Sequence, residues 1–256
     1  MLSKNKLKYI RSLAQKKYRD QEGVFIAEGP KVVGDLMGCF ECKLLLGTSS
    51  YLAAHPDVVA HEIIEIDQKE LEQASALKSP RDTIAVFSQE RLPSSTATND
   101  AQRQPLALAL DGVQDPGNLG TIIRLADWYG IQHIYCSRQC ADAYSEKVIQ
   151  ATMGAIARVE IHYVDLLDFV RQQAAEISIY GTFLDGQDMY QMDLSEGGLI
   201  IMGNEGNGIS PELEQLVNRK LYIPNYPKGQ ATSESLNVAV ATAITCAEFR
   251  RQSLFK

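Results

Sequence analysis

Short apolar runs alternate with helical patterns over the first third of the chain. The runs have the length and composition of strands, and between them apolar residues recur at helical spacing. The strand-like runs are residues 24–27, 43–46, 62–66 and 83–88, and the helical patterns are residues 30–37, 50–54 and 68–77. This alternation predicts a compact α/β unit, which we place at residues 1–92.

The chain begins with an amphipathic pattern that predicts one helix over residues 3–19, with Ser3 as its N-cap. Leu7, Ile10 and Leu13 form the apolar face, and most of the lysines and arginines of the stretch lie on the other face. A basic helical face is either simply solvated or attracted to phosphate backbones. Both interpretations stay open at this point.

A polar segment rich in Ser and Thr, residues 93–104, predicts an interdomain linker. From residue 105 to residue 256, strand-like and helical patterns alternate again, so we predict a second α/β domain with a mainly parallel sheet. Its last predicted helix, residues 233–250, is apolar on nearly every side. That pattern is typical of a helix buried in a domain or at a subunit interface.

Residues 106–130 have the pattern of a ligand site. A short apolar strand ends at Asp111, a turn-rich loop follows, and a helix then runs to Gly130. Ligands bind where such loops leave the carboxyl ends of parallel strands. Asn118 in the loop and Arg124 in the helix are therefore candidate site residues. Alternatively, Asn118 only caps the helix, and Arg124 is a surface arginine whose aliphatic part covers apolar surface.

The composition of the 256 residues excludes several classes of protein. Hydrophobic residues make up 45% and charged residues 22%, as in soluble globular proteins. No apolar run approaches the roughly 20 residues of a membrane span, and the N-terminal stretch lacks the apolar core of a signal peptide. We therefore expect a cytoplasmic protein. The net charge of −7 taken alone argues against a nucleic-acid partner, although residues 3–19 are strongly basic.

Motif spacing excludes further kinds of site. The five cysteines are expected to be free thiols, and two close cysteine pairs lack the second Cys or His pair of a zinc site. The pairs are Cys39 with Cys42 and Cys136 with Cys140. His55 and His61 are isolated, so we predict no metal site. The phosphate loop of nucleotide kinases and GTPases and the nucleophile elbow of hydrolases are also absent from the sequence.

Three segments of the second domain carry Gly-rich or polar residues after predicted strands. They are DGVQDPGNLGTIIRLADWYGI, IIMGNEGNGISPEL and ESLNVAVATAI. Together and in this order, they resemble the motifs of the SpoU/TrmH branch of the SPOUT RNA methyltransferases. The N-terminal stretch KLKYIRSLAQKKYRDQEGVFIAEGPKVV is similar to the substrate-binding domain that is often fused to such enzymes. The resemblance therefore covers most of the chain.

The resemblance implies a fold, a cofactor and a reaction. The fold is an α/β domain whose C-terminal segment is threaded through a loop, which forms a trefoil knot. The implied cofactor is S-adenosyl-L-methionine (SAM). The implied reaction transfers a methyl group to a ribose 2′-hydroxyl of RNA, with ribosomal RNA favoured over transfer RNA. A homodimer formed through the C-terminal domain is also implied.

The resemblance also implies roles for individual residues. The implied catalytic residues are Arg124, Asn118, Glu205, Ser235 and Asn237, with Arg124 matching the catalytic arginine of the family. Backbone groups at Gly203, Ile223 and Leu236 are implied to hold the cofactor. The basic side chains expected to contact RNA are Lys4, Lys6, Arg11, Lys16, Lys17 and Arg19.

One loop departs from the family pattern, and two other functions stay open. Residues 223–232 keep the Ile-Pro start but form a longer loop that carries Lys228, so its contacts are not carried over.

A non-catalytic RNA-binding or ribosome-assembly factor would keep the domain without turnover. A nucleotide-dependent enzyme would have an ordinary doubly wound fold. The presence of Asn118, Arg124 and Glu205 favours the methyltransferase.

Overall fold

The computed structural model of the protein describes residues 2–93, 105–227 and 235–254. The chain forms two compact units, and each combines two segments. The units are Met1–Ala97 with Asp142–Ala157, and Thr98–Ala141 with Arg158–Lys256.

The first unit therefore includes residues 142–157, which we assigned to the second domain on the basis of the sequence. Most of the predicted linker 93–104 lies outside the described residues. The domain boundaries at residues 92 and 105 stay a prediction.

The first unit is built on a four-stranded sheet, as the alternating pattern predicts. Its strands are β1 (Val24–Glu28), β2 (Phe40–Gly47), β3 (Glu62–Glu65) and β4 (Thr83–Arg91). Its helices in this part of the chain are α1 (Lys4–Ser12), α2 (Lys16–Glu22), α3 (Pro30–Leu36), α4 (Ser49–Ala54) and α5 (Gln68–Ala74). The strand order is β1-β4-β2-β3, with β4 antiparallel to β1 and β2, and β3 parallel to β2. Apolar side chains of α1, α5 and the sheet form one core.

The N-terminal helix begins at the predicted cap, Ser3, but it is broken in two. At the break, the Arg19 guanidinium donates to the carbonyls of Leu13 and Ala14 at 2.7 and 2.9 Å. It also forms an ion pair with Asp142 at 2.5 Å. The two bonds to the carbonyls of Leu13 and Ala14 satisfy groups that the break in the helix leaves without helical partners.

The assignment of Arg19 to the RNA-binding set is therefore wrong, because its side chain is only 4% exposed and points into the unit. The other members of the set lie at exposed or half-buried positions: Lys4, Lys6, Arg11, Lys16 and Lys17. Lys6 forms an ion pair with Glu62, and Arg11 donates to the carbonyl of Gln73.

The second unit contains a six-stranded sheet in which every neighbouring pair is parallel, which confirms the predicted fold class. Its strands are β5 (Leu106–Leu110), β6 (His133–Ser137), β7 (Glu160–Val164), β8 (Ile179–Asp188), β9 (Gly198–Met202) and β10 (Arg219–Tyr222). Its helices are α6 (Pro116–Trp128), α8 (Leu166–Gln173), α9 (Pro211–Glu214) and α10 (Val238–Leu254), while α7 (Glu146–Thr152) belongs to the first unit. The strand order is β10-β8-β9-β5-β6-β7.

The strand order creates a switch point at the centre of this sheet. β5 and β9 are neighbours; the connection that follows β5 leads to β6 on one side, and the connection that follows β9 leads to β10 on the other side. Open α/β sheets bind ligands at such a point. In ordinary doubly wound folds, the third or fourth strand lies beside the first. Here the fifth strand of the unit, β9, holds that place, which disfavours the alternative of an ordinary nucleotide-binding fold.

α7 completes the core of the first unit by packing against β1. The ring of Tyr144, just before this helix, lies 5.0 Å from the ring of Phe25. The Tyr144 hydroxyl donates to the carbonyl of Gln89 at 3.2 Å. Residues 142–157 are therefore an integral part of the first unit.

α6 and α10 pack against each other in the second unit. The connection between β10 and α10 contains residues 228–234, which lie outside the described residues; they include Lys228 and half of the unusual loop 223–232. The implied knot stays a prediction for the same reason. Within residues 2–93, 105–227 and 235–254, no helix is both long enough and apolar enough to cross a membrane.

Glu28, at the end of β1, generates a prediction about pH and stability. Burial raises the pKa of its carboxyl above 4.5, and hydrogen bonds from the Ser75 hydroxyl and the Ala76 amide offset only part of this effect. The folded protein therefore holds a proton at pH values where the unfolded chain has released it. The free energy of unfolding should then fall as the pH rises through the folded pKa. We expect Glu28→Gln to remove most of this fall in urea unfolding experiments.

A matched control is Glu65→Gln, which changes an exposed carboxyl on β3 and should leave the pH profile as it is. In Glu28→Gln, the free energy of unfolding should still fall slightly as the pH rises, because burial also raises the pKa of Glu146. An identical pH profile for the wild type and Glu28→Gln would contradict the raised pKa.

Candidate active site

Two loops of the second unit leave the sheet side by side. Leu110, the last residue of β5, pairs with Met202, the last residue of β9. The first loop (residues 111–115) and the second loop (residues 203–208) therefore start at the same level. The amide of Asp111 donates to the carbonyl of Met202 at 2.9 Å.

The side chain of Asn204 joins the two loops, although we did not predict a role for it. Its amide group donates to the carbonyl of Gly112 at 2.7 Å. Its side-chain oxygen accepts from the amides of Gly206 and Asn207 at 2.9 and 3.1 Å, and its backbone exchanges hydrogen bonds with Gly208 at 2.9 Å. The second loop is therefore a closed turn that is anchored on the first. An asparagine followed by glycines is a signal for such a turn.

The closed turn requires glycine at position 203. A Cβ atom at Gly203 would lie 2.2 Å from the carbonyl carbon of Gly208 and 2.4 Å from the amide nitrogen of Ile209. Both of these atoms belong to the backbone, so they cannot move aside as a flexible side chain could. The sequence therefore needs Gly203 for the shape of the loop, whatever else its backbone holds.

Side-chain hydrogen bonds connect the second loop to the start of α10. Asn118 donates to the carboxylate of Glu205 at 2.7 Å, and its side-chain oxygen accepts from the amide group of Asn237 at 3.0 Å. A carboxylate can only accept, so the NH₂ group of Asn118 must face Glu205 and its oxygen must face Asn237. We call this arrangement the Glu205–Asn118–Asn237 chain. It brings together predicted catalytic residues from three different motifs.

The N-cap of α6 is Asp115 and not Asn118. The Asp115 carboxylate accepts from the backbone amide of Asn118 at 2.8 Å, and Pro116 occupies the first turn, where its missing amide hydrogen has no cost. The side chain of Asn118 therefore bonds to Glu205 and Asn237 instead. The alternative that Asn118 only caps the helix is wrong.

Asn237 is also the residue that starts α10. Its side-chain oxygen accepts from the amides of Ala239 and Val240 at 3.0 and 3.2 Å, which is the usual geometry of a helix N-cap. The helix consequently begins at Val238 and not at Ser233, where the apolar pattern predicted it. Asn237 thus both caps α10 and contacts the first motif.

A cavity of about 630 Å³ lies beside the second loop, at the carboxyl end of β9. Its lining includes the three residues predicted to hold the cofactor, Gly203, Ile223 and Leu236, together with Glu205 and Ser235. Small-molecule sites typically have volumes of about 300–1,000 Å³. The structure therefore brings five predicted site residues around one space of suitable size.

The cavity also has walls that the sequence motifs did not indicate. Thr182, Phe183 and Leu184 come from β8, and Glu214 and Tyr222 come from α9 and β10. These residues reach the cavity because the strand order puts β8 next to β9, and β10 next to β8. The residues belong to no motif, so only the topology identifies them.

Arg124 does not join this group within one chain. It lies exposed on α6, one turn from the exposed Trp128, and it is not a lining residue of the cavity. Of the five predicted catalytic residues, Asn118, Glu205 and Asn237 are hydrogen-bonded together, and Ser235 lines the cavity. The exposed position of Arg124 agrees with the alternative of a surface arginine, and it also leaves the side chain free to meet a partner molecule.

Two thiols lie behind the first loop. A hydrogen bond with Cys136 lowers the pKa of Cys140 to about 7, while the same hydrogen bond and burial raise the pKa of Cys136 well above its ordinary value. The Cys140 sulfur also lies 3.2 Å from the carbonyl of Leu110. Cys140 is therefore the more acidic and more reactive thiol of the pair.

Two protein-family models match the chain. The model of the SpoU rRNA Methylase family matches residues 105–247, which is more than half of the chain. The chain belongs to this family. The model of the MRM3-like substrate binding domain matches residues 4–85. These matches confirm the resemblance that the motifs indicated.

Relatives of this SpoU-family chain include proteins with solved structures. A TrmH-family structure from Porphyromonas gingivalis is 40% identical and covers 98% of this chain and 99% of its own, with a TM-score of 0.87. An AdoMet-bound rRNA methyltransferase from Sinorhizobium meliloti is 32% identical, with coverages of 98% and 97% and a TM-score of 0.80. The 23S rRNA (guanosine(2553)-2′-O)-methyltransferase RlmP of Bacillus subtilis is 41% identical over 139 residues, which is 54% of either chain.

The shape of the second loop generates a test by substitution. Gly203→Ala should lower the free energy of unfolding by about 1–3 kcal/mol, because the added methyl group overlaps the loop backbone. Urea unfolding measures this change. Gly206→Ala is the matched control, since its Cβ would meet only the Asn204 side-chain oxygen at 3.5 Å, an ordinary contact distance. Equal destabilisation by both substitutions would contradict the close approach at Gly203.

Proposed function

We propose that this protein is a SAM-dependent methyltransferase that methylates a ribose 2′-hydroxyl in structured RNA, with ribosomal RNA as the substrate class. The observation that carries the proposal is the Glu205–Asn118–Asn237 chain beside a cavity of cofactor size. The relatives support it, because the Bacillus subtilis protein is named as a 23S rRNA 2′-O-methyltransferase and the Sinorhizobium meliloti structure contains AdoMet.

The cavity has the chemical character that SAM requires. Phe183, Leu184 and Leu236 supply apolar walls of the kind that bind a flat ring. Backbone amides and carbonyls at Gly203 and Ile223 would bind the polar edges of adenine. The Glu205 carboxylate in the lining favours a positively charged ligand, and SAM carries positive charge on its sulfur and amino groups.

The proposed reaction is a displacement at a methyl group. When bound, SAM supplies a methyl group that is already activated by the positive charge on sulfur. The protein has to align the ribose oxygen and to manage one proton. The Glu205–Asn118–Asn237 chain holds the second loop, the start of α6 and the start of α10 in fixed positions, so these residues have positioning roles. Ser235 lines the cavity and contributes to the binding of the cofactor or the ribose.

We assign an electrostatic role to Arg124. An arginine guanidinium stays protonated in proteins, so it is a poor general base. Its guanidinium can instead hold an RNA phosphate through two hydrogen bonds and lower the pKa of the ribose hydroxyl nearby. The proton then leaves to the phosphate or to water. The exposure of Arg124 supports a direct contact with RNA.

Two copies of the chain would associate through α6 and α10. These helices pack together, and their outer surface includes Trp128, which is 84% exposed, and Val240, which is 48% exposed. A large exposed aromatic residue is typical of a protein interface. Arg124 lies one helical turn before Trp128, so a dimer would bring it near the partner subunit. A second copy would in this way complete a site that one chain leaves incomplete.

The first unit is the proposed RNA-binding part of the protein. The match to a substrate-binding domain supports this assignment, as does the exposed position of four basic side chains: Lys4, Arg11, Lys16 and Lys17. Lys6 is half-buried and shares its charge with Glu62, so we expect it to contribute less. A cytoplasmic location stays a prediction.

The decisive experiment measures the transfer of labelled methyl groups from SAM to unmodified ribosomal and transfer RNA. We expect label from ribosomal RNA in a dinucleotide that resists alkaline hydrolysis, because a 2′-O-methyl group blocks cleavage at that position. Arg124→Ala should reduce the rate at least about 100-fold, since a preorganised charge near the reacting oxygen is lost. Arg124→Lys should stay well below the wild type, because lysine cannot make the two-pronged contact.

The matched control is Arg171→Ala, which removes an exposed arginine on α8 that pairs with Asp168. It should keep full activity. Near-normal turnover in Arg124→Lys would contradict the special role of the guanidinium. SAM binding without methyl transfer to any RNA would favour the non-catalytic RNA-binding factor, and the absence of SAM binding would contradict the proposed function altogether.

The dimer has a separate test. Trp128→Glu places a charge on the proposed interface and should convert the dimer into a monomer, as measured by light scattering after size-exclusion chromatography. Val59→Glu, which changes an 80% exposed residue of the first unit, is the control and should leave the mass unchanged. A monomeric wild type would contradict the proposed dimer.

A further inference from the structure

Two histidines and a glutamate meet at the edge of the sheet in the second unit. In the parallel pair β6 and β7, His133 lies opposite Glu160, and Tyr135 lies opposite His162. Alternate residues of a strand project from the same face, so the two histidines and the glutamate share one face of the sheet. Nδ1 of His133 lies 3.3 Å from Nε2 of His162. Oε2 of Glu160 lies 3.5 and 3.7 Å from these two nitrogens.

We propose that His133, Glu160 and His162 form a binding site for a divalent transition-metal ion of the Zn²⁺ class. Imidazole nitrogens and carboxylate oxygens are preferred ligands of such ions. A tetrahedral ion with bonds of about 2.0–2.1 Å separates its ligand atoms by about 3.4 Å. The three atoms therefore have to approach one another by no more than about 0.3 Å to reach this geometry. The fourth position is open to water.

Aromatic stacking holds the two imidazoles in place. The ring of Tyr135 lies 5.1 Å from the ring of His162 and 6.4 Å from the ring of His133, at interplanar angles of 23° and 28°. On α8, Phe169 stacks on Tyr135 at 4.0 Å. Ligands that are already positioned lose less conformational entropy when an ion binds. The stack thus favours binding at these residues over binding at flexible surface histidines.

The position of the site indicates what the ion does. His133 and Glu160 are the first residues of their strands, whereas the loops of the candidate active site leave the carboxyl ends of β5 and β9. The ion therefore binds near the amino ends of the strands, whereas the methyl-transfer site lies at their carboxyl ends. The ion has no part in the methyl-transfer chemistry. β7 is the edge strand of the sheet, and the ion joins it to β6 through side chains. Its role is to stabilise this edge.

The test is a titration of the untagged protein with Zn²⁺ in competition with a chromophoric chelator. We expect one site per chain, together with a Zn²⁺-dependent rise in the thermal unfolding midpoint. His133→Ala and His162→Phe should each weaken Zn²⁺ binding at least about tenfold and abolish the thermal shift. The phenylalanine keeps the stack on Tyr135 but removes the ligand nitrogen, so a loss of binding in His162→Phe is not a loss of packing. Glu160→Gln should also weaken binding.

The matched control is His61→Ala, which removes another exposed histidine that is paired with a carboxylate, Glu41, at 2.6 Å. This variant should bind Zn²⁺ as the wild type does. Three results would overturn the proposal: no Zn²⁺ binding by the wild type, equal affinity in the wild type and His162→Phe, or loss of binding in His61→Ala as well. The last result would place the ion at a different part of the chain.

Discussion

The parallel pairing of β5 with β9 is the constraint on which the candidate active site depends. Leu110 and Met202 end the two strands at the same level, so the first and second loops start side by side. Asn204 can then reach across to Gly112, and Glu205 comes within hydrogen-bonding distance of Asn118. Moving the pairing by one residue would turn each side chain of β9 to the other face of the sheet and would separate these partners. The hydrogen bonds of the site thus follow from backbone register.

Much of the fold could be predicted from the alternation of apolar runs, because buried strands and amphipathic helices leave distinct patterns in a sequence. The break between α1 and α2 could not. Apolar spacing continues through Leu13, and the break depends on Arg19, whose ion-pair partner Asp142 lies 123 positions further along the chain. A local pattern carries no information about a partner at that distance. For the same reason, no local pattern indicates that a basic residue of the first helices is buried.

For the candidate site too, some features could be predicted from the sequence and others could not. Asn118, Glu205 and Asn237 could be identified by their motifs, and the alternative role of Asn118 as a helix cap was equally compatible with the sequence. Their mutual hydrogen bonds required the strand order, which periodicity does not give. Phe183 and Asn204 belong to the site through topology and turn geometry. The cluster of His133 with His162 escaped detection because its members are 29 positions apart and meet only through strand pairing.

The interrupted course of the first unit has a consequence for how the protein is made. During synthesis, the four strands of its sheet are complete long before α7 leaves the ribosome. One side of β1 therefore stays uncovered until α7 has been made. Phe25 stays without the ring of Tyr144 until the first two strands of the other unit have also been made. The two units therefore cannot mature strictly one after the other, as domains of a simple tandem chain do. A fragment cut at the polar segment would contain every strand of the first sheet and still lack part of its core.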